Sequence, residues 1–454
     1  MHIVFLTLFI GLIRGVRPVT LDASGAVASI EIVLDGRGVR TLRQAPWTAE
    51  VDFGPSLLPH HLEARGLAAD GTELARTEQW VNLPQPPVEA EIAIEDDVQG
   101  KSRIARIAWQ SLSGDQPLET RLSLDGAPLA LDSGGRARLP AAAPGSVHVL
   151  TAELRFASGD VARKDVVVSG ELGSDVRTEL TAVPVEPREP RAPLTPQDLQ
   201  GLFTAAGQPL HVTTVEQGPA HVFVVREPGV EILVNRFLSY RQVAGMRIPK
   251  GLLLPAGVEF YFADPVASIH RHGDAQAEIF DILRAAKGAP SFGSLLTAAS
   301  SNGRNDRSRP QVADAVAVAG LHAAAGQTPR AVLLILGRQT PNDASHFDPA
   351  AVREYLAALG VPLFVWRMDQ HGAPRAAWGE VEAISSSGSM AAAYDRLLHE
   401  VGTQRIVWVE GRYLPQSISL APARGGDKSL KLLVTPSPPG EPGSKSVPQS
   451  RPGS

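Results

Sequence analysis

The sequence predicts a multidomain protein: two antiparallel β-sandwich modules of immunoglobulin type, then an α/β domain with a doubly wound parallel sheet. Three observations support this fold class. The first part of the 454 residues carries short alternating strands separated by Asp-Gly turns. The last part carries short apolar runs separated by helical patterns, and a Pro-rich segment lies between the two parts.

The two β modules are predicted from their turns and from the alternation between them. Asx-Gly pairs between alternating strands at this spacing are typical of an antiparallel sandwich. They occur at Asp35-Gly36, Asp70-Gly71 and Asp125-Gly126. We therefore assign residues 16–86 to a first β-sandwich and residues 87–183 to a second.

A Pro-rich, charged segment follows, from Pro184 to Pro193. Segments of this composition favour extended polyproline II geometry and separate modules as semi-rigid spacers. Thr195 and Pro196 then have the residue types of a helix N-cap and a first helical position. We assign residues 184–217 to a linker with one short helix.

Beyond residue 218 four short and almost wholly apolar runs alternate with helical patterns. Such runs are typical of parallel strands buried on both faces. They are Ala220–Val225, Val258–Ala263, Ala331–Leu336 and Pro362–Trp366. Asp348 is the predicted N-cap of the helix before the last run. We assign residues 218–412 to this α/β domain, 413–435 to a terminal β extension, and the Pro/Gly/Ser-rich residues 436–454 to a disordered tail.

Composition excludes several classes of function. The net charge is −5 and no run of Lys or Arg interrupts the sequence, so it offers no basic surface for nucleic acid. Because Cys is absent, thiolate nucleophiles, disulfides and iron–sulfur clusters are excluded. The chain has no G-x-S-x-G, H-E-x-x-H or paired-carboxylate pattern. We therefore predict that it is not an enzyme and has no catalytic residue and no cofactor.

The first 15 residues contain an apolar run from Ile3 to Ile13. It is shorter than the roughly 20 residues of a membrane-spanning helix and has the length of a signal-peptide core. We therefore expect an exported protein that is periplasmic, envelope-associated or secreted, with membrane contact only through this segment. The alternatives are a buried N-terminal strand and an altered start site.

Six stretches of the sequence carry a resemblance to a known family. They are A-P-W-T-A-E-V-D-F-G-P-S-L-L-P-H-H-L-E-A-R-G (45–66), R-T-E-Q-W-V-N-L-P (76–84), A-D-A-V (313–316), T-P-R-A-V-L-L-I-L-G (328–337), F-D-P-A-A-V-R-E-Y-L-A-A-L-G-V-P-L-F-V-W (347–366) and V-G-T-Q-R-I-V-W-V (401–409). In these stretches the chain resembles bacterial VWFA-related proteins, in which β-rich segments surround a von Willebrand factor A-type domain. The resemblance implies an A-type fold for the α/β domain.

The resemblance also implies where a metal ion would bind. In the family an Asp-x-Ser-x-Ser follows the first strand, a Thr comes from a later loop, and an Asp ends the strand equivalent to Ala331–Leu336; these oxygens hold Mg²⁺. The positions are occupied here by Arg226, Pro228, Val230, Ser308, and Leu336 or Gly337. Both acidic anchors are replaced and Arg226 reverses the local charge, so we predict no metal at this site.

We therefore predict non-catalytic protein–protein interaction or adhesion in the cell envelope, with an unknown protein partner. Arg226 and Arg338 are expected to pair with an acidic partner in place of the cation. The predicted rim of this face comprises Arg226, Glu227, Gly229, Gly337, Arg338 and Asn342. Two alternatives remain: a metal-dependent adhesion module with rearranged ligands such as Glu227 or Asp343, and a structural subunit of an envelope complex.

Three other groups of residues could either form a binding site or have an ordinary structural role. His270, His272 and Asp274 could begin a zinc or iron site, but an ordinary solvated loop is favoured. In the segment Asp343–Asp348 the favoured role is helix capping. The serines of Ser385–Ser389 lack the frame of a phosphate-binding loop and are expected to lead into the last helix.

Overall fold

The computed structural model of the chain forms two compact units, residues 1–84 together with 180–454, and residues 85–179. It describes residues 2–7, 9, 11–24, 27–84, 88–96, 103–111, 116–132, 134–140, 147–156, 161–169, 180–188, 194–235, 252–272, 275–285, 291–298, 309–337, 343–368, 376–421 and 430–435. The predicted disordered tail, 436–454, lies outside the described residues.

The first unit begins with an antiparallel β-sandwich. Its strands are β1 (His2–Phe5), β2 (Val16–Ser24), β3 (Ser29–Leu34), β4 (Arg37–Leu42), β5 (Thr48–Asp52), β6 (His60–Leu67) and β7 (Glu73–Val81). They form two sheets, in the orders β1-β2-β5 and β4-β3-β6-β7. Asp35 and Gly36 have φ of 52° and 77°, as a two-residue hairpin turn between twisted strands requires.

The segment predicted to be signal-like is part of this sandwich. Strand β1 pairs antiparallel with β2, and Ile3 is 4% exposed within the core. This arrangement is the one expected from a buried N-terminal strand. In the described part of the chain, no helix is long and apolar enough to cross a membrane. Export itself stays a prediction.

The second unit, residues 85–179, is also a β-sandwich. Its strands are β8 (Val88–Asp96), β9 (Arg103–Ser111), β10 (Pro117–Leu124), β11 (Ala127–Leu129), β12 (Arg136–Arg138), β13 (Val147–Phe156) and β14 (Val161–Ser169). The sheets have the orders β11-β10-β13-β14 and β12-β9-β8. Leu122, Leu150 and Leu154 lie at the centre of the core between them. The protein is thus multidomain and rich in β-sheet.

Residues 180–217 are not the end of a sandwich followed by a spacer. They form β15 (Leu180–Pro187), α1 (Pro196–Leu199), β16 (Phe203–Ala205), β17 (Gln208–Pro209) and β18 (Val212–Glu216). Val183, Pro184 and Val185 are all buried in β15, which pairs with strands far along the chain, so tertiary pairing decides this segment and its Pro content does not. The predicted cap is present, since the Thr195 hydroxyl accepts a hydrogen bond from the Asp198 amide.

An α/β sheet follows, with strands β19 (Ala220–Arg226), β20 (Val258–Ala263), β23 (Ile282–Arg284), β24 (Arg330–Leu336), β25 (Leu363–Arg367) and β26 (Glu382–Ala383). A hairpin of β21 (Ser268–His272) and β22 (Ala275–Ile279) lies between β20 and β23 in the chain. The strand order is β23-β20-β19-β24-β25-β26. The four runs predicted as parallel strands do pair in parallel, and β23 is antiparallel to β20.

Helices cover both faces of this sheet. They are α2 (residues 230–235), α3 (Phe292–Ala298), α4 (Val312–Ala325), α5 (Pro349–Ala358) and α6 (Ser387–Thr403), with 3₁₀ turns at Ala376–Trp378 and Pro415–Ser417. One apolar cluster joins the sheet to α2, α3 and α6, and a second joins it to α4 and α5. Asp348 caps α5 as predicted, with its carboxylate 2.9 Å from the Ala351 amide.

The last strands complete a third β module, whose other strands come before the α/β sheet in the chain. They are β27 (Arg405–Glu410), β28 (Ile418–Leu420) and β29 (Leu430–Leu432). Its sheets have the orders β18-β27-β15-β29 and β17-β16-β28. The run Arg405–Glu410 therefore does not belong to the α/β sheet, and the predicted boundary at residue 412 is wrong. Its partner strands are β15 and β18, from residues that the sequence interpretation divided between the end of the second sandwich, up to 183, and the linker, 184–217.

The first sandwich docks on the α/β sheet through Asn82. The Tyr355 hydroxyl on α5 donates to the Asn82 carbonyl over 3.0 Å, and both groups are buried. Asn82 has φ of 57°, and its side-chain amide exchanges two hydrogen bonds of 2.8 Å with the backbone of Ile13. Leu57, in the loop before β6, is 0% exposed and packs in the cluster beneath α4 and α5. The sandwich is thereby part of the same body as the sheet.

Removal of the Tyr355 hydroxyl tests this docking. Tyr355→Phe leaves the buried Asn82 carbonyl without this donor, which costs about 1–3 kcal/mol of unfolding free energy. Urea unfolding followed by Trp fluorescence measures the change. Tyr261→Phe is the matched control, because its hydroxyl donates to the partly exposed Glu259 carboxylate. Equal stabilities of the two variants would contradict the role given to Tyr355.

Candidate functional site

The candidate site lies where the sheet changes winding direction. Strands β19 and β24 are neighbours at its centre, and the helices that follow them, α2 and α5, pack on opposite faces. In doubly wound sheets ligands bind in the crevice just outside the carboxyl ends of two such strands. Here those ends are Arg226 and Leu336, so Glu227 and Gly337 are the first residues beyond them.

Glu227 connects the two strand ends. Its side chain is buried, with only 3% of the residue exposed. One carboxylate oxygen, Oε2, accepts the Gly337 N–H over 2.9 Å, and the Glu227 amide donates to the Ile335 carbonyl over 3.0 Å. A Cβ at Gly337 would lie 3.0 Å from Val230 Cγ2, so the chain packs closely there. The crevice thus holds an anionic group supplied by the protein itself.

Arg226 is turned into the protein beside this carboxylate. Its Nη1 donates to the Leu296 carbonyl at the end of α3, and its guanidinium lies 5.5 Å from the centre of the Phe262 ring. Burial lowers the pKa of Arg226, while the charges of Glu231 and Asp264 oppose that change. The guanidinium is therefore committed to internal contacts in this conformation.

Of the six predicted rim residues, four lie together at this edge and two lie outside the described residues. Arg226, Glu227, Gly229 and Gly337 surround the crevice, and Gly229, with φ of 83°, ends the turn before α2. Arg338 and Asn342, like Ser308, are outside the described range. Arg226 is partly buried, with its Nη1 bound to the Leu296 carbonyl. Partner binding by this set stays a prediction.

The sequence interpretation missed a buried carboxylate at the start of α4. Asp314 is 3% exposed and accepts hydrogen bonds from the backbone amides of His346 and Phe347, each within 3.0 Å. His346 Nδ1 lies 2.9 Å from the same carboxylate. The hydrogen bond to Asp314 raises the pKa of His346, and the charge of Glu278 adds to the effect. A single Asp in an Ala-rich helix does not by itself indicate a buried, hydrogen-bonded carboxylate.

The other candidate groups have structural roles or lie outside the description. Asp343 accepts the Val312 amide over 3.3 Å at the start of α4, which agrees with the favoured capping role for its segment. Ser386 and Ser389 form a capping box at the start of α6, as expected of a segment leading into a helix. The side chains of His270 and His272, and Asp274, are not described. The described residues contain no group of three His, Asp or Glu arranged to hold a metal ion.

Comparison with known proteins assigns no family. No family model and no curated protein matches the chain. Fibronectin(III)-like modules of Clostridium thermocellum CbhA are similar with a TM-score of 0.15 and 13% identity, over 37% of this chain and 93% of theirs. The central fibronectin-III array of RIM-binding protein gives 0.22 and 12%, over 42% and 78%. Human COPII-coat protein Sec24c gives 0.24 and 10%, over 47% and 41%. TM-scores of this size carry no functional assignment.

Replacement of Glu227 tests whether its carboxylate holds the crevice together. Glu227→Ala removes the acceptor of the buried Gly337 N–H and is expected to cost about 1–3 kcal/mol of unfolding free energy. Glu227→Gln keeps an oxygen acceptor of the same reach and should cost less than the Ala variant. Urea unfolding of both variants measures the difference. Wild-type stability in Glu227→Ala would show that the contact is dispensable.

The contact between His346 and Asp314 predicts a dependence of stability on pH. Because the pKa of His346 is raised in the folded protein, its contribution is complete below the ordinary pKa of about 6.5 and is lost as pH rises through the folded value. His346→Gln should therefore destabilise the protein at pH 5.5 and have almost no effect at pH 9. The effect is limited to about 1 kcal/mol because the imidazole is largely exposed to solvent. Thermal unfolding at the two pH values is the measurement, and equal losses at both would contradict the assignment.

Proposed function

We propose that the chain is a non-catalytic protein-interaction protein of the cell envelope, in which a von Willebrand factor A-type domain acts without its metal ion. The observation that carries the proposal is the Glu227 carboxylate, which is buried between the two central strand ends and bound to the Gly337 amide. An A-type domain uses this crevice for a cation and for a partner's carboxylate. In this chain a protein carboxylate lies there instead.

The arrangement of the sheet supports the A-type part of the proposal. If the strands of the sheet are numbered along the chain, their order is 3-2-1-4-5-6, the order of a doubly wound sheet that binds ligands at its central crevice. The third strand is antiparallel and lies at one edge. Other doubly wound folds share this order, so the A-type part of the proposal is drawn from the stretches that carry the resemblance, with which the order agrees.

The chemistry at the crevice supports the metal-free part. Mg²⁺ requires several oxygen ligands in near-octahedral geometry. Two positions of the family's Asp-x-Ser-x-Ser motif are occupied here by Arg226, which turns into the protein, and Val230, which is fully buried. Neither side chain has an oxygen atom that could bind a metal ion. Glu227 is a single carboxylate already bound to a backbone amide. A partner therefore has to be recognised by protein groups alone.

Arg338 and Asn342 are the proposed contact residues for an acidic partner, because they follow the carboxyl end of β24 in the chain. The envelope location is proposed from the apolar N-terminal run of the sequence alone, because β1 pairs within the first sandwich and gives export no support. The proposed contact residues and the proposed envelope location involve no nucleic acid, no cofactor and no catalytic residue.

Partner capture tests this function. The tagged full chain is used to capture proteins from the envelope fraction of the native cell, with and without EDTA. We expect one protein in near-stoichiometric yield, insensitive to EDTA, whose capture falls at least tenfold in Arg338→Asp. Arg40→Asp, at an exposed position of β4, is the matched control and should not change capture. Loss of capture in EDTA would overturn the metal-free proposal, and equal capture by both Arg variants would overturn the contact assignment.

A further inference from the structure

A cleft of about 570 Å³ lies along α5 and shares no lining residue with the crevice. Pro362 and Leu363, at the start of β25, and the last residues of α6 line it, so it opens at the amino edge of the sheet. The Glu227 crevice is at the opposite, carboxyl edge. The third β module supplies the remaining wall through β15 and β29. A volume of this size is within the range of ligand-binding cavities, about 300–1,000 Å³.

The lining of the cleft is apolar in part. Leu356, Leu363, Trp378 and Leu432 contribute to it, and Trp378 is 6% exposed. Pockets that bind ligands combine such apolar walls with a small number of placed polar groups. The apolar part would accept aliphatic groups, because their contact with it removes both surfaces from water.

The polar groups of the cleft are predominantly acidic. Four carboxylates line it, those of Glu186, Glu354, Glu380 and Glu400. Two cations, Arg353 and Lys431, accompany them. Lys431 is already paired with Glu186 over 3.0 Å. Four acidic groups against two basic groups leave an excess of two negative charges, which a cationic ligand would offset.

Burial and the neighbouring carboxylates both act on Glu400. Its pKa is raised, first by burial and then by the negative charge of Glu186, with Glu380 acting in the same direction and Lys431 opposing. A cation bound among these carboxylates would favour the ionised form of Glu400. Groups with perturbed ionisation in a cleft are candidates for a binding site.

We propose that this cleft binds a basic, partly apolar peptide segment of the protein partner. Lys or Arg head groups would meet Glu380 and Glu400, while their aliphatic stems and neighbouring apolar side chains would lie on Leu363 and Leu432. A free polyamine fits less well, because its closely spaced charges would be placed against the apolar walls. The assignment names the partner's chemistry and so rests on the proposed interaction function, but it uses a surface separate from the crevice.

Calorimetric titration of the full chain with three probes tests the cleft. The probes are a capped Ala-Leu-Lys-Leu-Arg-Leu-Ala peptide, the same peptide with Glu in place of Lys and Arg, and spermidine. We expect saturable binding of the basic peptide, at least tenfold tighter than that of spermidine, and none of the acidic peptide. The double variant Glu380→Gln with Glu400→Gln should weaken basic-peptide binding at least tenfold. Glu50→Gln, at an exposed position of β5, is the matched control and should leave it unchanged.

Several results would overturn the cleft assignment. They are no binding of the basic peptide, equal binding of the acidic peptide, spermidine binding as tightly as the peptide, or no effect of the double variant. Partner capture separates this failure from failure of the proposed function. If the double variant captures the protein partner as well as the wild-type chain does, the cleft assignment is rejected and the proposed function is not. Peptide binding at the cleft without any captured partner supports the cleft and rejects the function.

Discussion

The contact between Asn82 and Tyr355 is the constraint on which the architecture of the first unit depends. A buried carbonyl needs a hydrogen-bond donor, and here the donor comes from the helix that covers the second half of the sheet. The side chain of the same Asn holds the backbone of Ile13 and of Leu58. One residue therefore fixes the N-terminal segment, the loop that inserts Leu57, and the position of α5. It joins the β-sandwich to the α/β sheet together with the packing of Leu57 and the contact of Arg14 with the His346 carbonyl.

The two edges of the central sheet are closed by opposite charges. At the carboxyl edge the anionic Glu227 accepts a backbone N–H. At the amino edge the buried Arg330 donates to the Leu359 carbonyl over 2.9 Å and to the Ala324 carbonyl over 3.5 Å. These carbonyls belong to the ends of α5 and α4, where helix dipoles favour a cation. Burial lowers the pKa of Arg330 to about 10, so it stays charged at neutral pH. A buried carboxylate thus accepts a backbone amide at one edge of the sheet, and a buried guanidinium donates to backbone carbonyls at the other.

Short sequence patterns predict the local structure of this chain well. They do not predict which distant segments pair with each other. The Asp35-Gly36 turn, the Asp348 cap and the parallel pairing of the four apolar runs depend on nearby residues and follow from short patterns. The third β module could not be predicted in this way, because Val185 meets Arg405 across an interval that contains the whole α/β sheet. The inward turn of Arg226 depends on the Leu296 carbonyl, 70 residues away in the chain. Glu227 was named for the rim of the crevice, but its role as an internal acceptor depends on Gly337, which only tertiary structure brings near.

Glu227, bound to Gly337 at the carboxyl edge of the sheet, is proposed to take the place of a metal ion. Calorimetric titration of the full chain with Mg²⁺ and then Mn²⁺ at neutral pH tests it most directly, with thermal unfolding measured at each end point. We predict no saturable heat and no change in the melting temperature, because a ligand that binds the folded state must stabilise it. Saturable binding of either cation that raises the melting temperature and is lost in Glu227→Gln would contradict the claim.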